Sequence, residues 1–66
     1  MYKLSIYYDG TPVAIWSYSD ALEAVHQFDR CVDCGDAKEY ATYNLSEPSG
    51  KMHTKNFYRN GKVTQK

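Results

Sequence analysis

Residues 2–16 read YKLSIYYDGTPVAIW, and this stretch decides the fold. Apolar and polar side chains alternate over residues 2–8, as they do in a strand with one buried face. The Asp9-Gly10 pair that follows favours a two-residue type I′ turn, because both positions of that turn require a positive φ. The stretch therefore predicts a β-hairpin whose two strands are antiparallel.

The two-residue loop also predicts the register of this hairpin. It places Ile6 opposite Val13 and Leu4 opposite Ile15, so these four side chains form one apolar patch on the face towards the core. Pro12 then falls at a position where its missing N–H points away from the first strand. We therefore expect the second strand to lie at an edge of the sheet.

A helix is expected next, over residues 20–34. Ser19 or Asp20 can cap its beginning, and Asp20 with Glu23 has a spacing like that of a capping box. Gly35 suits the left-handed residue just past its end. Apolar residues recur at three- and four-residue steps and form one stripe along this segment. The stripe comprises Ala21, Leu22, Val25, Phe28 and Val32.

A second hairpin is expected from residues 39–45 and 51–58, joined by turn-forming residues at 46–50. Closing this loop places Leu45 opposite Met52 and Tyr40 opposite Phe57. Nothing in the loop forbids a slip of one residue, which would exchange the two faces of the last strand. Residues 62–66 are expected to form a frayed tail or one short extra strand.

These elements predict an α+β fold of the order ββαββ. The sheet has four antiparallel strands in the order 2-1-3-4, and one helix packs on one face. With 66 residues the chain has room for one domain, which we place at residues 1–60, with residues 61–66 as a short basic tail. No apolar run is long enough to span a membrane and no secretory signal is visible, so we expect a cytoplasmic protein.

One helix covers only one face of such a sheet, so the other face is predicted to be open. Aromatic and basic side chains fall there in the predicted register, and a contiguous patch of this kind usually marks a contact site. The predicted partner-binding residues are Tyr7, Trp16, Tyr40, Phe57, Lys3 and Lys55. The pattern indicates a protein partner or self-association, with a homodimer as one form of it.

The charge distribution supplies an alternative function. Residues 1–50 contain eight acidic and three basic side chains, whereas residues 51–66 contain five basic and no acidic ones. Lys51 and Arg59, together with the two lysines of the predicted face, would suit single-stranded nucleic acid whose bases stack on the sheet aromatics. Neutralisation of the acidic part of the protein by the basic strand is the simpler interpretation.

Two cysteines raise the question of a metal. Cys31 and Cys34 have the spacing of half a zinc site, and His53 is the further candidate ligand. A second pair of cysteines is missing, so no metal or other cofactor is expected. The predicted position at the C-terminal end of the helix argues against redox activity, because that end of the dipole raises a thiol pKa. No arrangement of nucleophile and base is visible, so we expect a non-enzymatic protein.

Over its whole length the chain resembles small uncharacterised proteins encoded by actinobacterial phages, such as mycobacteriophages. The resemblance lies in residues 8–10 (YDG), 20–24 (DALEA), 35–37 (GDA), 40–45 (YATYNL) and 55–57 (KNF). It implies a non-enzymatic product of the host cytoplasm that binds and modulates a host protein. It supplies no functional residues, and the two cysteines are not part of it.

Overall fold

The computed structural model describes residues 1–65 and contains one helix and five strands. In chain order the elements are β1 (Tyr2–Tyr8), β2 (Thr11–Tyr18), α1 (Ala21–Asp29), β3 (Tyr40–Ser46), β4 (Met52–Tyr58) and β5 (Val63–Gln65). The strands form one antiparallel sheet in the order β2-β1-β3-β4-β5. The α+β class and the order of the first four strands are as predicted.

The predicted number of strands is wrong, because β5 adds a fifth strand beside β4. Val63 pairs with Phe57 and Gln65 pairs with Lys55, so this part of the chain forms a short extra strand and not a frayed tail. Lys66, the last residue of the predicted basic tail, lies outside the described residues. The sheet therefore has two edges of unequal length, β2 with eight residues and β5 with three.

The first turn forms as the sequence predicts. Asp9 has φ 54° and Gly10 has φ 85°, the positive values that a type I′ turn requires. The Asp9 carboxylate also accepts backbone hydrogen bonds from Lys38, Glu39 and Tyr40 at 2.9, 2.7 and 3.1 Å. These bonds hold the pKa of Asp9 below its usual value, because they stabilise the charged form. The turn is thereby tied to the beginning of β3.

A β-bulge in β2 overturns the predicted register beyond Pro12. Tyr7 pairs with Pro12 at the sheet edge, as predicted, but Ile6 pairs with Ala14, so Val13 is an extra residue. A bulge next to a proline is a common device of edge strands, since the proline cannot donate to the ladder. Every residue after Val13 is shifted by one position relative to β1.

This shift exchanges the two faces of β2. Leu4 lies opposite Trp16 and Ser5 lies opposite Ile15, whereas the sequence predicted Leu4 opposite Ile15. Trp16 therefore shares the helix-covered face with Leu4, and Ile15 lies on the open face. Lys3 lies opposite Ser17 and not opposite Trp16.

The helix begins where predicted and ends early. Asp20 is its N-cap, and the side chain accepts the Glu23 N–H at 3.3 Å. The helical residues that become buried are Ala24 and Phe28, whereas Leu22 is 81% exposed. The predicted apolar stripe was wrong in its phase, except for Phe28. The small Ala24 lies against the sheet, where it allows a close approach of the helix.

The end of α1 at Asp29 is contacted by a residue far along the chain. The Lys55 ammonium donates to the Phe28 carbonyl oxygen at 2.9 Å, and the Cys31 N–H donates to the same oxygen at 3.1 Å. This oxygen lies in the last helical turn, where carbonyl groups lack the usual helical partner. A cation at this position also complements the helix dipole. Gly35 has φ 55°, as predicted for a left-handed residue, but it belongs to the loop that follows and not to the helix end.

The second hairpin is displaced by one residue from its predicted register. Tyr40 pairs with Tyr58 and Leu45 pairs with His53, so Lys55 and Phe57 face the helix and Met52 faces outwards. The observed register permits two cross-strand hydrogen-bonded pairs on the open face, from Thr42 to Asn56 and from Thr54 to Asn44. These two bonds, and the bond from Lys55 to the end of α1, form in the observed register. They favour this register although it leaves Met52 57% exposed.

The core lies between α1, the loop after it and the inner side of β1, β3 and β4. Its buried members are Leu4, Ala24, Phe28, Ala37, Ala41, Tyr43 and Leu45. Side chains of Tyr43 and Phe57 meet edge to face with ring centroids 5.7 Å apart, a favourable geometry for aromatic pairs.

Candidate functional site

The loop between α1 and β3 is fixed by side chains that reach it from the sheet. The Tyr43 hydroxyl donates to the Asp33 carbonyl oxygen at 3.0 Å. The Arg59 guanidinium donates to the carbonyl oxygens of Ala37 at 2.8 Å and Gly35 at 3.2 Å. Because these bonds bridge distant parts of the chain, the loop forms a defined wall beside the sheet.

A groove of about 470 Å³ opens between this wall, the end of α1 and the inner side of β1 and β2. Ile6, Trp16 and Tyr18 line it from the sheet, and Arg30 and Asp33 line it from the loop. We call it the Trp16 groove. The residues that line it from the sheet are apolar or aromatic, and Arg30 and Asp33 add one cation and one anion beside them. Such a cleft can contact both apolar and polar groups of a ligand.

The strand beside the groove is unusual for a sheet edge. β2 contains no charged residue, and it exposes apolar side chains on both faces. Val13 is 50% exposed and Ile15 is 62% exposed on the open face, and Trp16 is 48% exposed on the helix side. Proteins usually protect such edges with charged residues, prolines or bulges. Here that protection is confined to Pro12 and the bulge at one end.

The main chain of β2 is open beyond the bulge. In an antiparallel sheet each residue bonds to one neighbouring strand only, and successive residues alternate. The Asp9 N–H donates to Tyr40 in the direction of β3, so the even-numbered residues of β1 bond to β2. Trp16 is the partner of Leu4 and bonds inwards. The N–H and C=O groups of Ile15 and Ser17 therefore point away from the sheet, and we call residues 14–18 the β2 edge.

The structure divides the six predicted partner-binding residues between two faces. Tyr7, Tyr40 and Lys3 lie on the open face, as predicted. Trp16, Phe57 and Lys55 lie on the helix side, so their predicted face was wrong. Each of the two displaced registers is responsible for part of this result, since a one-residue shift moves a side chain to the opposite face.

The Lys55 side chain is buried and bonds within the protein. It is 7% exposed, its ammonium caps α1, and that ammonium lies 4.5 Å from the centre of the Phe28 ring. This distance permits a cation–π interaction. Arg59 is likewise bound to loop carbonyl oxygens. Two of the four basic residues named for nucleic-acid binding are therefore bonded within the protein.

The open face is less apolar than the sequence suggested. Its centre is a ladder of Thr42, Asn44, Thr54 and Asn56, which bond in cross-strand pairs at 2.7 and 2.8 Å. Tyr40 stacks obliquely on Tyr58 with ring centroids 5.6 Å apart, and both rings are half-buried. Because the polar groups bond to one another and the rings cover each other, this face does not form one large apolar patch.

The three candidate metal ligands are not assembled into a site. Cys31 donates its thiol to the Gln27 carbonyl oxygen at 3.4 Å, and burial raises the pKa of this thiol. His53 Nε2 lies 2.6 Å from a carboxylate oxygen of Glu47. Within residues 1–65 no three histidine, cysteine or acidic side chains are grouped as metal ligands would be. Both Cys31 and Cys34 are free thiols.

Sequence reasoning missed the part of the groove that comes from Tyr18, Arg30 and Asp33. Tyr18 was missed because the bulge at Val13 was not predicted. Pro12 was the available signal, since prolines in strands mark bulges as well as edges. Arg30 and Asp33 were expected on a charged flank of a helix over residues 20–34, whereas α1 ends at Asp29 and both lie in the loop.

Comparison with protein-family models, curated proteins and solved structures finds no match to this chain. Among the residues that the structure describes, the one helix is too short and too polar to cross a bilayer.

Proposed function

We propose that this chain is a small, non-enzymatic protein-binding module whose binding surface is the β2 edge together with the Trp16 groove. The observation that carries the proposal is the combination of an uncharged edge strand with exposed Ile15 and Trp16 and a groove directly beside it. This surface replaces the predicted aromatic face as the binding region. Trp16 was one of the residues predicted for that face and is also part of the surface proposed here.

The mode of binding is addition of a strand. A segment that extends along the β2 edge would bond to the outward main-chain groups of Ile15 and Ser17. Its side chains would alternate between the open face, beside Ile15, and the helix side, where the Trp16 groove receives them. Main-chain bonds supply affinity in this mode, and the groove supplies selectivity.

The resemblance to actinobacteriophage proteins extends the proposal. It assigns the module to the cytoplasm of an infected host, where it modulates a host protein by binding it. Neither the location nor the target follows from the groove itself, so both depend on the resemblance.

Affinity capture with matched variants tests the binding surface. The tagged wild-type chain is compared with Ile15→Lys, which places a charge on the β2 edge, and with Thr64→Lys, which places one on the opposite edge strand β5. Added untagged chain and an actinobacterial lysate provide the two classes of partner. We expect the wild-type and Thr64→Lys chains to retain a protein partner that the Ile15→Lys chain does not retain.

Identical retention by all three proteins would reject the β2 edge as the binding surface. Capture that nuclease treatment abolishes would favour the alternative function, binding of single-stranded nucleic acid, over the one proposed.

A further inference from the structure

We propose that the β2 edge pairs with the β2 edge of a second copy, so that two chains form one continuous ten-stranded antiparallel sheet. This inference rests on the proposed function and names its partner. It follows from three properties of the edge: its charge, its hydrogen-bonding pattern and the position of Trp16.

The charge pattern of the edge is self-complementary. β2 has no charged residue from Thr11 to Tyr18, so antiparallel pairing of two copies brings no like charges together. The adjoining rim carries Arg30 and Asp33, one charge of each sign. A partner peptide of strong net charge has no counterpart here, whereas a second copy fits this neutral surface.

The hydrogen-bonding pattern is also self-complementary. If Trp16 lies opposite Trp16 of the second copy, Ile15 lies opposite Ser17 of that copy on each side of a twofold axis. Each such pair exchanges two N–H···O=C bonds, so the interface gains about four main-chain hydrogen bonds. Trp16 occupies the central pair that is not hydrogen-bonded, where opposite side chains lie closest.

The twofold axis has a further consequence for the grooves. An axis perpendicular to the sheet leaves both helices on the same face, so the two Trp16 grooves lie side by side between them. Trp16 and Tyr18 of both copies then occupy this shared cleft. A domain with so small a core gains from the added apolar burial. Because one edge strand and its neighbouring groove form the contact, we expect a transient dimer with a dissociation constant on the order of micromolar.

The position of Trp16 provides the measurement. It is the one tryptophan of the chain and is half-exposed in the monomer, so its emission maximum is expected to move to shorter wavelength on pairing. Sedimentation equilibrium and tryptophan emission are recorded over a dilution series of the full chain. We expect a monomer–dimer transition at which both signals change together.

Ser17→Pro tests the pairing itself, because it removes an outward N–H and leaves the inward bonds of Trp16 and Tyr18 in place. We expect the dissociation constant to rise at least about tenfold, since each dimer loses two main-chain hydrogen bonds. Val63→Pro is the matched control. The Tyr58 N–H bonds to Lys62, so Val63 of β5 directs its N–H outwards at the opposite edge, and its replacement leaves dimerisation unchanged.

Ile15→Lys serves as the second variant if Ser17→Pro does not fold, and it is also expected to be monomeric. A wild-type chain that stays monomeric at millimolar concentration overturns the inference, as does a folded Ser17→Pro or Ile15→Lys that dimerises like wild type. If the wild-type chain stays monomeric but captures a different protein, and Ile15→Lys abolishes that capture, the proposed function stands and the second-copy inference fails.

Discussion

The β2 side and the β4 side of helix α1 use their polar groups in opposite ways. On the β4 side the charges are bonded within the protein, since Lys55 caps the helix and His53 meets Glu47. On the β2 side the strand has no charge, and the main chain of Ile15 and Ser17 points outwards. The comparison indicates that Lys55 of the basic strand serves the fold, whereas the uncharged strand leaves main-chain groups unpaired at the edge that we propose as the binding surface.

The largest effect is expected from Lys55→Met, which keeps most of the side-chain volume and removes the charge. The Phe28 carbonyl oxygen loses one of its two donors, since the Cys31 N–H still bonds to it, and the ring loses its cation. We therefore expect the free energy of unfolding to fall by about 2 kcal/mol. Urea denaturation measures this loss. Lys51→Met, at an exposed turn, is the control and is expected to change stability by less than about 0.5 kcal/mol. Equal effects of the two substitutions would remove the contrast between the two sides.

The turn of the first hairpin is the place on the β2 side where a charge does stabilise the fold. Three backbone N–H groups depress the pKa of Asp9 below 3.8. Its contribution is therefore present above the unfolded pKa and is lost as the pH falls through the lower folded value. We expect Asp9→Asn to be less stable than wild type at pH ~7 and the difference to shrink at pH ~2, as measured by denaturation at both values.

Asp36→Asn is the control for this experiment, since its carboxylate lies in the exposed part of the loop. A wild-type protein whose stability follows the same acid dependence as Asp9→Asn would show that the turn carboxylate does not stabilise the folded state.

Tyr43 lies between the two sides, because its ring belongs to the core and also lines the Trp16 groove. Tyr43→Phe removes the bond to the Asp33 carbonyl oxygen, so we expect a loss of about 1 kcal/mol. Burial raises the pKa of Tyr43 to about 12. The neutral hydroxyl thus stabilises the fold below the unfolded pKa near ~10, and that stabilisation disappears as the pH rises through the folded value.

An absorbance titration of the tyrosines should show one late-ionising group that is missing in Tyr43→Phe and present in Tyr7→Phe. Its persistence in the first variant would assign the late ionisation to another ring.

The smallest effect on folding is expected from Ile15→Lys. The side chain is mostly exposed and its main chain bonds to no strand within the described chain, so stability should change by less than about 0.5 kcal/mol. The measurement is made at a concentration where wild type is monomeric. A large loss would mean that Ile15 supports the monomer, and the difference between the two sides of α1 would then be one of degree.

The sequence was informative where local chemistry determines structure. Asp9-Gly10 formed the predicted turn, Asp20 capped the helix and Pro12 lay at an edge. Where both faces of a strand offered similar side chains, alternation could not choose between them. Val13 and Ile15 differ little in apolar character from Ala14 and Trp16, so the pattern gave no sign of the bulge.

The remaining errors came from contacts between distant residues. In the observed register of β4, Lys55 reaches a carbonyl oxygen at the end of α1, 27 residues earlier in the chain. No local pattern contains such a bond. The Trp16 groove depends on that helix end and on the bulge, so Trp16 could be singled out from the sequence whereas its surroundings could not.

The bonds of Asp9 also bear on the order in which the protein assembles. They join residues about 30 positions apart, which closes a long loop at the expense of chain entropy. During synthesis the first hairpin leaves the ribosome well before residues 38–40, and its short-range contacts form quickly. The Asp9 carboxylate is then in position before its three donors are available, and β3 can pair with a first hairpin that has already formed.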